Sequence, residues 1–284
     1  MISVVIPAFN EQDAIVETIQ QVRQTLCDYA GFEIVVVDDG SSDRTGELAA
    51  EHGAKVVRHP MNAGYGRSLK DGIAAAANPI IAITDADGTY PIGRIPAMLA
   101  ELDKGFHMAV GARTGEEYRE SVVKAPMRKL LTILVEFTTG RRIPDVNSGL
   151  RVFRRAEAME FFPHLCNTFS FTTSLTLAYM MNGRYISYMD IPYYKRIGTT
   201  KVRLFKDAIM TLQYIVQAIL YYNPLKLFLM LSAMSIVFSI VCLMSSIFLS
   251  FNAGYYWFVG GILLSILIFC LGLLADLLRQ IMDK

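Results

Sequence analysis

The sequence predicts an α/β domain followed by a two-helix transmembrane hairpin. From Ile2 to Gly111, short β-branched runs alternate with helical stretches, the pattern of a parallel sheet with helices packed on it. No charged residue occurs over residues 227–251, and after the Asn252-Ala253-Gly254 interruption a second uncharged run continues to Ala275. With 284 residues, 53% of them apolar and only 19% charged, the chain has room for one sizeable domain and an apolar addition to it.

Taken in order, Ile2–Ala8 reads as a strand, 11–29 as a helix, 33–37 as a strand and 43–51 as a helix with Asp43 near its start. Lys55–Arg58 is a short strand, 65–77 a helix, 80–84 a strand, 92–104 a helix and 107–111 a strand. The stretch 112–222 is less regular. Within it, 124–139 sets Met127, Leu130, Leu131 and Leu134 beside Lys124, Arg128 and Lys129, and 203–222 repeats Leu204, Ala208, Leu212, Ile215 and Ile219 at helical spacing. Both patterns fit a core helix as well as one lying on a membrane, and the neighbouring hairpin favours the membrane for the second. The expected domains are 1–222 and 223–284, with membrane spans at about 227–251 and 253–275.

Each uncharged run exceeds the roughly 20 residues a helix needs to cross the hydrocarbon core, and neither keeps the polar face of a soluble helix. Lys226 precedes the first run, Arg279 and Lys284 follow the second, and the turn between them is uncharged. By the positive-inside tendency, the large N-terminal portion and both termini are expected on the cytosolic side of the inner or plasma membrane. Tyr255, Tyr256 and Trp257 fall at the far turn, where interfacial aromatics anchor. The opening apolar stretch is short, contains Pro7 and has no basic region ahead of it, so it reads as a strand and not a signal segment. Cys27, Cys166, Cys242 and Cys270 form no CxxC pair, which argues against a disulfide framework or zinc site and fits a reducing compartment. A net charge of +1 offers no global attraction for nucleic acid.

In an open parallel sheet, ligands bind beyond the carboxyl ends of the strands. The first strand is followed by Pro7-Ala8-Phe9-Asn10-Glu11, the second by Asp38-Asp39-Gly40-Ser41-Ser42 and the fourth by Asp85-Ala86-Asp87-Gly88. Any one of these acids alone reads as a cap or turn residue. Their convergence on one edge points further, because carboxylates repel unless a cation or ligand donors join them. Asp85 and Asp87, expected on an exposed loop, are spaced to share Mg²⁺ or Mn²⁺, hard cations that take oxygen ligands and substrate phosphates. Such an ion suits a diphosphate leaving group that departs from a sugar through an oxocarbenium-like state. Asp38 and Asp39 match the donors of a base or ribose. The stretch Asn62-Ala63-Gly64-Tyr65-Gly66-Arg67-Ser68 has neither Walker A nor GxGxxG spacing, yet its glycine-rich helix start suits a phosphate, with Arg67 as a candidate partner.

Five ordered blocks carry a family resemblance: Val4 to Glu11, Val36 to Asp43, Asn62 to Gly72, Asp85 to Gly88, and Asn147-Ser148-Gly149-Leu150-Arg151-Val152-Phe153. Over roughly residues 2–203 the chain resembles glycosyltransferase family 2, and within it the dolichyl-phosphate mannose synthase and bacterial polyprenyl-phosphate glycosyltransferase group. The resemblance implies a GT-A type, Rossmann-like fold and inversion at the anomeric carbon. It also implies base and ribose recognition by Pro7, Ala8, Asn10, Glu11, Asp39 and Asp85, with Ala86 in the same nucleotide-sugar site, and metal ligation chiefly by Asp87 with help from Asp85. Processive members carry a Gln-x-x-Arg-Trp motif; the single tryptophan here, Trp257, lies in the hairpin.

A phosphate acceptor is already anionic and needs cations to hold it, whereas a hydroxyl needs a base. Arg113, Arg128, Arg196 and Lys201 are the candidate cations, and the resemblance sets positions matching Arg128 and Gly198-Thr199-Thr200-Lys201 against the acceptor phosphate. Taken singly, each also reads as a surface charge or a lipid-headgroup contact. Asp145 matches the region where the family places a base; with a phosphate acceptor its role becomes positioning. The expected activity is transfer of one hexose or N-acetylhexosamine from a UDP- or GDP-sugar to a polyprenyl phosphate, undecaprenyl or dolichyl. Transfer to a lipid hydroxyl such as that of diacylglycerol, with Asp145 as base, is the alternative enzyme. A membrane scaffold with a vestigial pocket is disfavoured by the completeness of the acidic motifs. A homo-oligomer is compatible with the sequence.

Overall fold

The computed structural model describes residues 1–115, 132–133, 135–137, 139–196, 213, 216–217, 219–248 and 253–282. Most of 124–139 and 203–222 lies outside the described residues, as do Arg128 and the Gly198 to Lys201 segment. The chain divides into two compact units, Met1–Ile215 and Val216–Lys284.

In the first unit, β1 (Ile2–Ala8), β2 (Glu33–Asp38), β3 (Lys55–Arg58), β4 (Ile80–Ile83), β5 (Met108–Thr114), β6 (Arg151–Arg154) and β7 (Ile186–Pro192) form one sheet, ordered β3-β2-β1-β4-β6-β5-β7. The first four strands run parallel, β6 runs antiparallel to both β4 and β5, and β5 runs parallel to β7. Reversal of β6 has a direct consequence. The carboxyl ends of β1, β2, β4, β5 and β7 and the start of β6 all reach the same edge, so side chains far apart in sequence meet there.

Alternation along the strands explains how both faces are covered. Val4 and Ile6 of β1 join Ile15, Ile19 and Val22 of α1 (Ile15–Thr25) and Ile95, Met98 and Leu102 of α4 (Ile95–Asp103) in one core. Val5 points the other way, toward α3 (Tyr65–Ala75), whose Gly72 comes so close that a Cβ there would lie 2.4 Å from Val5 Cγ1 and 2.8 Å from Val37 Cγ2. Among the described residues this unit also contains the helices α2 (Thr45–Glu51), α5 (Arg155–Glu160) and α6 (Phe171–Met181). Arg155 reaches from α5 to the Ile73 and Ala74 carbonyls at the end of α3, satisfying acceptors that a helix C-terminus leaves open.

Helix α1 starts later than the sequence pattern suggests. The Glu11 amide donates to Thr45 Oγ1 (2.8 Å), and the Glu11 carbonyl accepts from the Ala14 and Ile15 amides, so the segment before α1 is tied to the start of α2.

The second unit is a pair of helices, α7 (Pro224–Phe248) and α8 (Ala253–Met282), with windows of mean hydropathy 2.5 and 2.7. Its outer faces carry large apolar side chains, with Phe238 53% and Leu263 63% exposed, a surface that water disfavours and lipid accepts. Small residues bring the helices together: Ser232 Oγ lies 2.8 Å from Ser265 Oγ, and Ser235 Oγ donates to the Gly261 carbonyl (2.9 Å). Helix α8 runs past the uncharged stretch through Asp276 and Arg279, since backbone hydrogen bonding continues where apolarity stops.

Gly72→Ala is expected to destabilise the first unit by about 1–3 kcal/mol through overpacking against Val5 and Val37. Gly93→Ala, at a position with no atom within 4 Å of the added methyl, serves as a neutral control. Thermal unfolding in detergent should lower the apparent Tm for the first and leave the second near wild type.

Candidate active site

Hydrogen bonds between the first two strand-end loops build one wall of the edge. Asn10 is the one non-glycine among the described residues with positive φ (52°), a conformation asparagine tolerates. Its amide donates to Ser41 Oγ (3.0 Å), and its Oδ1 accepts from the Ser42 amide (2.8 Å). Asp38 Oδ1 accepts from the Ser41 amide (3.0 Å), closing its own turn. The same carboxylate needs the bare backbone of α2, because a Cβ at Gly46 would fall 2.2 Å from Asp38 Oδ2. Pro7 and Ala8, buried at the end of β1, floor this wall, and the Ala8 carbonyl accepts from the Asp39 amide (2.9 Å).

Asp39 fastens the glycine-rich loop. Its Oδ1 accepts from His59 Nδ1 (2.7 Å) and the Ala63 amide (2.8 Å), and its Oδ2 from the Gly64 amide (3.0 Å). The Arg67 amide donates to the Asn167 carbonyl (3.1 Å), so three of the amides around the start of α3 are taken by the protein itself. The Arg67 side chain pairs with Asp71 (2.6 Å), which also lies 3.2 Å from His59 Nε2.

Asp87 differs from expectation: it is buried, at 3% exposure, and not on an exposed loop. The chain after β4 folds back so that Asp87 Oδ1 accepts from the Thr89 amide (3.1 Å) and Thr89 Oγ1 (2.6 Å), while Oδ2 pairs with Arg196 (2.8 Å). Thr18 of α1 donates to the Ala86 carbonyl (3.0 Å) and pins the middle of the triplet. Asp85 Oδ1 accepts from the Tyr65 hydroxyl (2.9 Å), and the Tyr65 ring stacks on Phe169. Burial and the neighbouring Asp87 push the Asp85 carboxyl up from the usual 3.8 to about 7, against the pull of Tyr65, Arg196 and Arg113. Among the described residues no cluster of three or more His, Cys, Asp or Glu could hold a metal; the carboxylate pair Asp85 and Asp87 could hold one only with further ligands from a substrate.

Opposite the acids stands a tight ion pair. Arg113 grips Asp145 through Nε–Oδ2 (2.7 Å) and Nη2–Oδ1 (2.9 Å), while the Arg113 and Asn147 amides donate to the same carboxylate at 3.2 and 3.1 Å. Burial works to raise the Asp145 carboxyl, but the charge and hydrogen bonds of Arg113 outweigh it and hold the group below its ordinary value. The Arg113 guanidinium lies over the Tyr193 ring, 5.3 Å from its centroid, and Tyr193 meets Tyr90 edge-on.

The loop entering β6 is positioned from beneath by Arg151, which is fully buried. It donates to the carbonyls of Ser148 (2.8 Å) and Val146 (2.8 Å) and to Thr176 Oγ1 (2.7 Å). Tyr90 Oη accepts from the Gly149 amide (2.7 Å), and a Cβ at Gly149 would sit 3.1 Å from both Asp85 carboxylate oxygens.

The structure thus gathers Asp85, Asp87, Arg113, Asp145 and Arg196 at one edge, with Pro7, Ala8, Asn10, Glu11, Asp38 and Asp39 in the adjoining wall and Arg67 turned to Asp71. Sequence reasoning singled out no role for Tyr65, His59 or Arg151. Two signals were available: Tyr65 lies within the glycine-rich stretch and Arg151 within the Asn147 to Phe153 block.

Sheet order and acidic strand-end loops define a GT-A-like α/β protein. The chain belongs to glycosyltransferase family 2, whose profile, described as glycosyl transferase family 2, matches residues 3–162. It is 39% identical over 112 residues to an uncharacterised glycosyltransferase of Mycobacterium bovis, covering 39% of this chain and 48% of that one. It is 31% identical over 186 residues to an undecaprenyl-phosphate 4-deoxy-4-formamido-L-arabinose transferase of Salmonella paratyphi B, covering 60% of this chain and 56% of that one. The chain therefore spans about half the length of the curated relatives it matches. Among solved structures, glucosyl-3-phosphoglycerate synthase of Mycobacterium tuberculosis, in complex with Mn²⁺, UDP and glucosyl-3-phosphoglycerate, superposes with a TM-score of 0.62 at 22% identity, over 77% of this chain and 79% of that one. That likeness bears out the GT-A type fold.

Because the folded protein holds a proton on Asp85 that the unfolded chain releases at lower pH, stability should fall as pH rises from about 4 to about 7 and change no further from this group above that. Asp85→Asn removes the charge and keeps an acceptor for Tyr65. Its apparent Tm, measured in EDTA, should exceed wild type by several degrees at pH 8 and match it at pH 4. A difference independent of pH would contradict this account of Asp85.

Proposed function

We propose that the protein transfers one hexose or N-acetylhexosamine from a UDP- or GDP-sugar to a polyprenyl phosphate at the cytosolic face of a membrane. The observation that carries this reading is the make-up of the strand-end edge. Two adjoining acids suit a metal-bound diphosphate, and two guanidiniums, Arg113 and Arg196, suit the phosphate of the acceptor. The relatives support the class: the Salmonella protein is named for undecaprenyl phosphate, and the mycobacterial synthase binds UDP with Mn²⁺.

The donor reading sets the nucleotide in the wall formed by Pro7, Ala8, Asn10, Glu11, Asp38 and Asp39, with its diphosphate toward Asp85 and Asp87. The residues fit a divalent ion, since Asp87 already accepts a cation in Arg196 and Asp85 is under-compensated. Mg²⁺ or Mn²⁺ held by Asp87 with Asp85 would neutralise charge on the departing diphosphate. An acceptor phosphate oxygen then bonds the anomeric carbon from the face opposite the breaking bond to the diphosphate, inverting the centre. No proton has to leave the nucleophile.

That last point separates the phosphate reading from transfer to a lipid hydroxyl. A hydroxyl requires a base, and Asp145, the candidate for it, is locked to Arg113 and held at low proton affinity. Its geometry supports a positioning role for the Arg113 guanidinium. The hairpin α7–α8 tethers the catalytic unit to the bilayer, and Lys226, Arg279 and Lys284 support a cytosolic location for both of its ends.

The test supplies labelled nucleotide-sugar with either polyprenyl phosphate or diacylglycerol. Label should enter an acid-labile product with polyprenyl phosphate alone, and EDTA or Asp87→Asn should cut the rate at least a hundredfold. Asparagine is preferred to alanine at 87 because the buried side chain holds Thr89 and Arg196. Asp145→Asn should raise the KM for polyprenyl phosphate and leave kcat within about tenfold, since a positioning group lacks the roughly 10²–10⁴ contribution of a general base. Selective glycosylation of diacylglycerol, lost in Asp145→Asn, would establish the hydroxyl reading instead.

A further inference from the structure

We infer that Arg196 is a built-in counter-ion of the metal site, one that a divalent cation displaces from Asp87 and thereby releases to the acceptor phosphate. The inference rests on the metal-dependent reading above and adds an order of events to it. Asp87 has one oxygen committed and one exchangeable. Oδ1 holds the Thr89 amide and hydroxyl, while Oδ2 is 2.8 Å from Arg196 Nη2. A metal ion ligated by Oδ2 and the guanidinium on the same oxygen would be two cations in contact within a largely buried site, where like charges repel most strongly. One of them has to leave.

The mobile partner is the arginine side chain and not the carboxylate. Asp87 is fixed through Thr89, and the Ala86 carbonyl beside it is held by Thr18. Arg196 lies just beyond β7 on a segment anchored to the same loop, because the Tyr194 amide donates to the Thr89 carbonyl (3.0 Å). Its side chain is 30% exposed, so it has a path outward while its backbone stays at the site. Arg113 stands close by over Tyr193. A released Arg196 and the Arg113 guanidinium make a two-cation cradle, the charge and geometry that a phosphate monoester requires. In the absence of a divalent ion, the ion pair keeps this cradle half assembled. Metal and donor binding would therefore strengthen acceptor binding, and by reciprocity acceptor binding would strengthen metal binding.

The experiment is calorimetric titration of Mn²⁺ into the full chain in detergent, saturated with UDP, comparing wild type with Arg196→Gln and Arg196→Met. Both variants should bind Mn²⁺ about tenfold more tightly or better, because the competing cation is gone, and Arg196→Lys should fall between them and wild type. Equal or weaker Mn²⁺ affinity in the neutral variants would overturn the inference and leave the metal reading standing. No Mn²⁺ binding in any of the proteins would overturn both. A second titration uses a short-chain polyprenyl phosphate with and without Mn²⁺ and UDP. Wild type should gain affinity severalfold on adding them, and the neutral variants should gain less; an equal gain would overturn the release of Arg196 to the acceptor.

Discussion

Gathering several carboxylates at one buried sheet edge is the constraint on which the rest of this molecule depends. A desolvated acid persists as an anion only with donors or cations close by. Asp39, Asp85, Asp87 and Asp145 are each treated differently. Asp39 is satisfied by His59 and two amides, Asp145 by a forked arginine, and Asp87 by Thr89 and Arg196. At Asp85, burial and the acidic neighbour outweigh the pull of the Tyr65 hydroxyl, Arg196 and Arg113. The edge thus keeps one acid with a raised proton affinity, which added positive charge would lower.

The scaffold is shaped to make that gathering feasible. Reversal of β6 brings the Asp145 to Gly149 loop beside the end of β4, and Gly149 lets its backbone approach Asp85 where a side chain would crowd the carboxylate. Arg151 holds two carbonyls of that loop from below, so a buried cation with no carboxylate partner among the described residues acts as a backbone clamp. Burial pulls its own proton affinity down, yet an arginine stays charged there, which a lysine at the same place would not ensure. The hairpin follows a separate physical logic. It packs through serine hydroxyls and glycines, contacts that suit lipid, where no hydrophobic drive brings one apolar helix to another.

Much of the fold and part of the site were legible in the sequence, for local reasons. Short β-branched runs marked β1, β2 and β4, and the acids after them fell on one edge as parallel topology requires. The uncharged runs marked α7 and α8 by length and composition. What escaped was long-range. Nothing local to Arg113 announces that it will meet Asp145, or to Arg196 that it will close on Asp87, and these contacts arise only because β5, β6 and β7 assemble out of sequence order. Burial of Asp87 was missed for the same reason, since the groups that cover it come from elsewhere in the chain. The late start of α1 was hidden by Glu11, a good helix former whose amide is captured by Thr45. Tyr65 and His59 read as ordinary residues of a helix start and a loop until their carboxylate partners are placed.

The most direct test of the account is a crystal structure with Mn²⁺ and a nucleotide-sugar bound, in which anomalous scattering at the manganese edge locates the metal independently of any assumption about the site. The account predicts an anomalous peak in ligating contact with Asp87 Oδ2, bridging to the diphosphate, with Asp85 alongside and the Arg196 guanidinium withdrawn from Asp87. A peak elsewhere, or a nucleotide bound while Arg196 remains paired with Asp87, would contradict it.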